Sequence, residues 1–242
     1  MRVFVVVSGL LVIAATVAVA EDLPTFLAAA TAAARPSAPL RADGELVTTS
    51  PDGSVRDQIA MLRRPNGDVY VELRHSGVRA LLPGNGGRAL LVPSTDKSSE
   101  VFAPDASLGD SEFSGEDLRL FRADAYRSPT IVDRGADDVT VSLTPEASPY
   151  VLQVITFDNA TKAALVVKNY KDKISNLVKM RRDRALTPLS GTWLPAEISM
   201  EDFPLRTTST MTLRWQPIED VPALFDPAAL SKPSTLTWPD GH

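Results

Sequence analysis

The sequence predicts a mainly β fold, a curved antiparallel sheet or incomplete β-barrel covered by two or three short helices. Apolar and polar residues alternate along many short segments, as they do in strands that bury one face. Turn signals separate these segments by about 8–12 residues, a spacing typical of a sandwich or barrel and not of parallel α/β units. Asn66-Gly67, between two alternating segments, is a strong hairpin signal. We therefore expect a meander of antiparallel strands.

The composition excludes several classes of protein. The chain has 242 residues, of which 44% are hydrophobic and 23% charged, with no cysteine and two histidines. Without cysteine there is no disulfide scaffold, thiol nucleophile or thiolate metal site. The formal net charge is −5 and no long basic run is present, which argues against nucleic-acid binding. We predict a protein without catalytic residues, metal or cofactor.

The amino terminus has the three parts of a secretory signal. Met1-Arg2 is positively charged, an apolar run covers Val3–Val17, and Ala18-Val19-Ala20 forms a small-residue cleavage site. An uncleaved membrane anchor is the alternative, but the run is shorter than the ~20 residues that a spanning helix needs. We predict a signal peptide at 1–20 and one domain at 21–242 with a polar C-terminal tail. No spanning helix is expected after signal removal, and in a Gram-negative bacterium the location would be the periplasm.

The first half of the predicted domain contains one helix and a series of strands. Apolar residues recur at helical spacing from Leu23 to Ala34, with Pro24 in the first turn, and Arg35-Pro36 ends the pattern. The predicted strands that follow are Gly44–Ser50, Val55–Arg64, Val69–His75, Val78–Leu82, Arg88–Val92 and Glu100–Ala103.

A second helix and a second series of strands follow a polar loop at 105–115. The helix is predicted over Glu116–Tyr126, with Ser114 and Asp117 as an approximate capping box and with Leu118 and Phe121 on its apolar side. The strands predicted after it are Val139–Leu143, Tyr150–Phe157, Ala164–Tyr170, Ile174–Arg182, Trp193–Met200 and Thr207–Trp215. Residues 221–230 are expected to form a short helical segment.

Two segments resemble the outer-membrane lipoprotein-sorting protein family, the relatives of the periplasmic lipoprotein carrier LolA. Gly-Asp-Ser-Glu-Phe-Ser-Gly-Glu-Asp-Leu at 109–118 is similar to the family segment that enters the middle helix, and Trp193-Leu194-Pro195 with Ile198–Asp202 is similar to a later strand. The order of elements also agrees along most of the domain. The chain departs from the family at Ala89–Pro93, where an aromatic-rich strand is usual, and at Gly115, where a tyrosine is usual.

The resemblance implies an incomplete barrel whose apolar interior holds acyl chains. The family's cavity residues do not transfer one by one, so we choose candidates from the strand faces. The predicted cavity lining is Ile59, Met61, Val69, Val71, Leu73, Val141, Leu143, Leu152 and Val154, with Leu118 and Phe121 on a lid helix. The same residues would serve equally well as the core of a packed sandwich.

Other candidate sites have simpler interpretations. Gly84-x-Gly86-Gly87 precedes a strand, whereas a phosphate loop opens a helix, so a hairpin turn is expected. Adjacent carboxylates on a strand point to opposite faces, so pairs such as Glu201-Asp202 do not form a glycosidase site. His75 lies either at a strand end or at the opening of a cavity.

A basic cluster lies in the second series of strands. Its members are Lys168, Lys171, Lys173, Lys179, Arg181, Arg182 and Arg184. It is either a solvated hairpin face or a contact for anionic lipid headgroups or an acidic partner.

The function predicted from the sequence is a non-enzymatic periplasmic carrier. It would bind acyl chains of lipids or lipoproteins for transfer towards the outer membrane. Its partners would be an inner-membrane transporter and an outer-membrane acceptor. The alternative is an adaptor module of an envelope transport complex that has no lipid cavity.

Overall fold

A computed structural model of the chain describes residues 21–92, 100–101, 106–230 and 232–238. The predicted signal peptide and the last residues of the predicted tail lie outside these ranges. The helices are α1 at Leu23–Ala33 and α2 at Gly115–Leu118, with short 3-10 helices at Ala123–Ala125, Pro222–Phe225 and Pro227–Ala229. Strands β1 to β6 are Leu40–Ser50, Gly53–Arg63, Val69–Leu73, Arg79–Leu82, Leu90–Val92 and Glu100–Val101. Strands β7 to β13 are Tyr126–Arg134, Asp138–Pro145, Leu152–Asp158, Ala164–Tyr170, Leu177–Leu189, Thr192–Asp202 and Thr207–Pro217.

Within the described residues, thirteen strands form one sheet in the order β6-β5-β4-β3-β2-β1-β13-β12-β11-β10-β9-β8-β7, and every pair of neighbours is antiparallel. The predicted fold class is therefore confirmed. Two meanders, β1–β6 and β7–β13, meet where the first strand pairs with the last. The sheet does not close into a barrel, because β6 and β7 remain at opposite edges. Residues 106–125, which we call the crossing segment, lie across one face of the sheet before β7.

We call the face that α1 and α2 cover the inner face, and it carries two apolar clusters. In the first, side chains of β1–β4, β12 and β13 pack against Leu108, Phe113 and Leu118 of the crossing segment. In the second, Phe26, Leu27 and Ala30 of α1 pack on β8 and β9. The helix begins where the sequence predicts, because the Asp22 carboxylate accepts a hydrogen bond of 2.9 Å from the Thr25 N–H.

The opposite, outer face is covered at β2–β5 by the C-terminal segment. Leu62, Tyr70 and Leu81 pack there against Leu224 and Leu230, which come from the end of the chain. β3 is consequently buried on both faces. The sequence pattern indicated only one buried face for this strand, because its outer residues include charged ones such as Glu72.

The structure differs from the sequence prediction at two places in the middle of the chain. The helix predicted over Glu116–Tyr126 ends at Leu118, where Arg119 takes an extended conformation with φ −63° and ψ 146°. Strand β7, Tyr126–Arg134, was not predicted; all of its residues after the first are exposed, so it has no apolar alternation to reveal it.

Candidate functional site

A cavity of about 680 Å³ lies on the inner face, between α1, the segment that follows α2 and strands β9–β12. Exposed residues in its lining mark where it opens to solvent. Arg35 follows α1, Asn85 and Arg88 belong to the β4–β5 turn, and Glu146 follows β8. The cavity therefore opens between the end of α1, this turn and the end of β8.

One wall of the cavity is apolar. Its residues are Ala30, Ala33 and Ala34 of α1, Phe121 and Tyr126 of the crossing segment and β7, and Ile155, Phe157, Val167 and Leu186 of the sheet. Phe121 stacks on Tyr126 with ring centroids 5.6 Å apart and meets Phe157 edge to face at 5.0 Å. The alanines matter here because short side chains on α1 leave space that longer ones would fill.

Two arginines after α2 form one side of the opening. Arg119 donates to the carbonyl oxygens of Pro83 and Gly87, at 2.9 and 2.7 Å, and Arg122 donates to that of Gly84 at 3.2 Å. These bonds fix the crossing segment to the β4–β5 turn. The turn itself is the hairpin connection that the sequence predicted for the glycine-rich segment, and strand β5 follows it.

A buried polar network forms the floor of the cavity. The Asp117 carboxylate accepts hydrogen bonds from the Ser114 N–H at 2.8 Å and from the Asn169 amide at 3.3 Å. Gln153 donates to Asn169 at 2.8 Å and accepts from the Tyr126 hydroxyl at 2.8 Å. Burial, together with the nearby charges of acidic side chains, raises the pKa of the Tyr126 hydroxyl well above its usual range. The Tyr126 hydroxyl therefore stays protonated, and each of these buried side chains has a hydrogen-bond partner.

Arg181 and Asp183 extend this floor along β11. The Arg181 Nε and Nη2 atoms each lie 2.6 Å from a carboxylate oxygen of Asp183, and Nη1 donates to the Asp117 carbonyl oxygen. Burial lowers the pKa of Arg181, but the charge and hydrogen bonds of Asp183 and the charges of Asp117 and Tyr126 together outweigh it, so the pKa is raised. This arginine is therefore neutralised inside the chain.

Arg63 is a second buried arginine in the lining, and its environment differs. It is the last residue of β2 and only 6% exposed. Its guanidinium lies over the Trp215 ring, 4.7 Å from the centroid, while its Nε has no hydrogen-bond partner among the described residues. Burial, and then the charge of Arg181, lower the pKa of Arg63 to about 10, although Asp183 acts against them.

The residues predicted to line the cavity lie elsewhere. Ile59, Met61, Val69, Val71 and Leu73 are at most 1% exposed and pack in the cluster that the crossing segment covers. Val141 and Leu143 pack beneath α1. Leu152 and Val154 alternate with the buried residues of β9 and occupy its other face. None of them lines the 680 Å³ cavity, and their role in ligand binding stays a prediction.

The two predicted lid residues are separated by the early end of the helix. Leu118 is a core residue, 1% exposed, whereas Phe121 lies after α2 and does line the cavity. His75 follows the end of β3, and its Nδ1 lies 3.2 Å from the Asp57 carboxylate with the side chain 65% exposed. It therefore sits at a strand end and outside the cavity.

The basic cluster of the second meander is divided by the fold. Arg181 points into the cavity floor, and Lys179 donates to the Glu112 carbonyl oxygen at 2.7 Å. Arg182 and Arg184 pair with acidic residues of β12 at 3.2 Å each. A contact between the remaining lysines and anionic headgroups or an acidic partner stays a prediction.

Sequence patterns did not identify the residues that matter most at this site. Arg63, Gln153 and Asp183 are isolated polar residues in strands, and a single polar residue carries no periodic signal. One sign was available in the alternation itself, because Arg63 lies on the same face as Ile59 and Met61. A charged residue at a position of the buried face marks either a strand end or a functional group.

No helix of the described residues is long and apolar enough to cross a membrane. In the same part of the chain, no three His, Asp or Glu side chains lie close enough together to hold a metal ion.

The fold is similar to solved structures of bacterial proteins at low sequence identity. A domain named for outer membrane lipoprotein sorting, from Vibrio parahaemolyticus, superposes with a TM-score of 0.70 at 17% identity, covering 85% of this chain and 97% of that one. A DUF1329 family protein from Desulfovibrio piger superposes with a TM-score of 0.71 at 16% identity, covering 86% of this chain and 98% of that one. A LolA superfamily protein from Nitrosomonas europaea superposes with a TM-score of 0.68 at 16% identity, covering 86% of this chain and 99% of that one.

No protein-family model matches the sequence, and no curated protein matches it significantly. At 16–17% sequence identity, the structural similarity establishes a shared fold. The chain therefore has the fold of the outer membrane lipoprotein-sorting and LolA superfamily structures, which is the fold that the sequence resemblance predicted.

Proposed function

We propose that this protein is a non-enzymatic carrier that binds acyl chains of lipids or lipoproteins in the 680 Å³ cavity. The observation that carries the proposal is the open cavity itself, with its apolar wall of alanines and aromatic rings. Its volume lies in the range of about 300–1,000 Å³ that is usual for small-molecule sites. Each methylene group that leaves water contributes about 0.8 kcal/mol, so the apolar wall favours an extended acyl chain.

Transfer between membranes is the second part of the proposal. A signal peptide at 1–20, cleaved after Ala20, would deliver the domain at 21–242 to the periplasm, and α1 begins just beyond that point with its Asp22 cap retained. An inner-membrane transporter would load the carrier and an outer-membrane acceptor would unload it. N-terminal sequencing of the exported protein should begin at Glu21; a sequence beginning at Met1 would contradict export by cleavage.

The cavity can be tested by filling it from α1. Ala33 is half-buried and lines the cavity, whereas its neighbour Ala32 is exposed. Ala33→Phe should therefore occupy the ligand's space, and Ala32→Phe should leave that space free. For delipidated protein we expect wild type and Ala32→Phe to take up a fluorescent fatty acid and Ala33→Phe to take up at least tenfold less, with all three folded by circular dichroism.

Mass spectrometry of lipids extracted from the purified wild type provides an independent measurement. Copurified acyl lipids, reduced in Ala33→Phe, would support the carrier. Equal uptake by both variants would show that acyl chains bind elsewhere.

An adaptor without a lipid site is the second candidate function. The observation that favours it is the first apolar cluster, where Phe113 and Leu118 of the chain itself fill the inner face of β2–β4. A wild type that carries no lipid after purification and takes up no fatty acid would favour this alternative over the carrier.

A further inference from the structure

Arg63 is a buried cation without a carboxylate of its own. It ends β2 on the inner face, borders the cavity and is 6% exposed. Its guanidinium lies over the Trp215 ring, and its Nε hydrogen has no acceptor within the described residues. A guanidinium over the face of an aromatic ring can still donate its N–H groups to an acceptor.

Among the described residues, the carboxylate whose charge favours Arg63 is already bound to another arginine. Asp183 is the carboxylate whose charge raises the pKa of Arg63, but both of its oxygens already accept hydrogen bonds of 2.6 Å from Arg181. Burial chiefly lowers the pKa of Arg63; the charge of Arg181 lowers it further, and the charge of Asp183 acts against both. Asp183 and Asp117 both act on Arg181, whereas Arg63 has no carboxylate bound to it among the described residues.

An unpaired buried charge is costly, and buried charges in proteins are normally paired. Replacing such a group by an apolar side chain of similar volume would improve the stability of the empty protein. A cation kept in this condition beside an open cavity indicates that its partner arrives with the ligand.

We propose that Arg63 binds the anionic group of the ligand, a carboxylate or phosphate oxygen, so that the carrier prefers acyl lipids with a negative headgroup. This inference rests on the proposed function, because it assigns the chemistry of the ligand's polar end within the same cavity. Trp215 would hold the guanidinium in place, since the indole N–H is itself fixed by a 2.9 Å hydrogen bond to the Pro195 carbonyl oxygen.

The experiment compares ligands that share one acyl chain and differ in their headgroup. Delipidated wild type is titrated with oleate, with oleyl alcohol and with oleoyl lysophosphatidate by displacement of a fluorescent fatty acid. A charge-assisted hydrogen bond in a buried site corresponds to about a 10-fold to 100-fold difference in affinity. We expect at least one anion to bind that much more tightly than the alcohol, and the preferred anion identifies a carboxylate or a phosphate source.

Arg63→Met is the test variant, and Arg56→Met is its matched control. Arg56 lies on the same strand. Its side chain is 68% exposed and forms an ion pair with Glu45. We expect Arg63→Met to lose the preference for the anion while it still binds oleyl alcohol, and Arg56→Met to keep the preference. The melting temperature of empty Arg63→Met should equal or exceed that of the wild type, which separates lost binding from lost folding.

The possible results are distinct. Equal affinity of the wild type for the alcohol and both anions would overturn the role of Arg63 and leave the carrier function standing. A preference for the anion that persists in Arg63→Met would also overturn it. A wild type that binds none of the three ligands would refute the carrier function, and with it the inference.

Discussion

The backbone of Gly84 packs directly on the backbone of Gly67. A Cβ atom on Gly84 would lie 2.4 Å from the carbonyl carbon of Gly67 and 2.4 Å from the carbonyl oxygen of Asn66. This contact joins the β4–β5 turn to the β2–β3 turn. The same β4–β5 turn receives the arginine hydrogen bonds that border the cavity, so its position sets the shape of the opening.

Gly84→Ala should therefore destabilise the protein by about 1–3 kcal/mol, because an added methyl group has to displace backbone. Gly87→Ala in the same turn is the control, since its Cβ would meet a side-chain atom, Oδ1 of Asn85, at 2.9 Å, and a side chain can shift more easily than backbone. Urea denaturation measures the free energy of unfolding of both variants. Equal stability of the two variants would mean that the contact between the turns is loose.

Arg181→Met should cost about 3–5 kcal/mol, because it leaves Asp183 buried without its partner. The double variant Arg181→Met/Asp183→Leu removes both charges and should recover at least half of that loss. Chemical denaturation of both variants and of Asp183→Leu completes the cycle. A double variant as unstable as the sum of the two single variants would show that the ion pair contributes no coupling.

Val71→Glu should unfold the domain, because Val71 is 0% exposed in the solid cluster and a carboxylate there cannot reach water. Val167→Glu is the comparison, since Val167 is half-buried and lines the open cavity. The second variant should stay folded and lose fatty-acid uptake. Thermal melting and uptake measured together distinguish them, and a folded Val71→Glu that loses uptake would move the binding site to the first cluster.

The free energy of unfolding should fall as the pH rises through the pKa of Glu116. Burial chiefly raises its pKa above the ordinary value of 4.5; Asp117 adds to this, and Arg119 acts against it. The folded protein holds this proton more tightly than the unfolded chain, so the stabilisation is complete below pH 4.5 and is lost as the pH rises through the raised pKa. Glu116→Gln should accordingly gain stability relative to the wild type as the pH increases.

Asp124→Asn is the control of opposite sign. Hydrogen bonds from Arg122, at 2.7 and 3.0 Å, lower the pKa of Asp124. Its contribution is present above pH 3.8 and disappears as the pH falls through the lowered pKa. Denaturation curves over a pH series should show the two variants diverging from the wild type in opposite directions at neutral pH.

The sequence predicts the strands with a buried face well, because burial imposes a period of two. Helix α1, the Asn66-Gly67 hairpin and most strands follow from local patterns. Strand β7 does not, since an exposed edge strand has no buried face to select apolar residues. The prediction of a helix beyond Leu118 is wrong for a different reason. Arg119 and Arg122 donate hydrogen bonds to carbonyl groups of the distant β4–β5 turn, and these tertiary contacts override the local helix preference.

The sequence does not predict where the cavity lies, because alternating apolar residues indicate burial and do not distinguish a packed core from an empty space. The side chains with the strongest pattern, such as Val69 and Val71, fill the core completely. The open space lies instead where small alanines of α1 face isolated polar residues of the sheet. Its position depends on how α1 and the crossing segment lie on the sheet, and no local signal records that.

The pairing of β1 with β13 has a consequence for how the chain reaches this structure. Thr48 and Ser209 share a hydrogen bond of 2.8 Å across this pair, although they are 161 positions apart in the sequence. The middle of the sheet therefore forms only when nearly the whole polypeptide is present. Topologies dominated by such distant contacts fold slowly, because the entropy of closing a long loop is lost before the contacts form. Until the last strand is available, the edge of β1 that will face β13 stays unpaired, and an unpaired strand edge can pair with another chain.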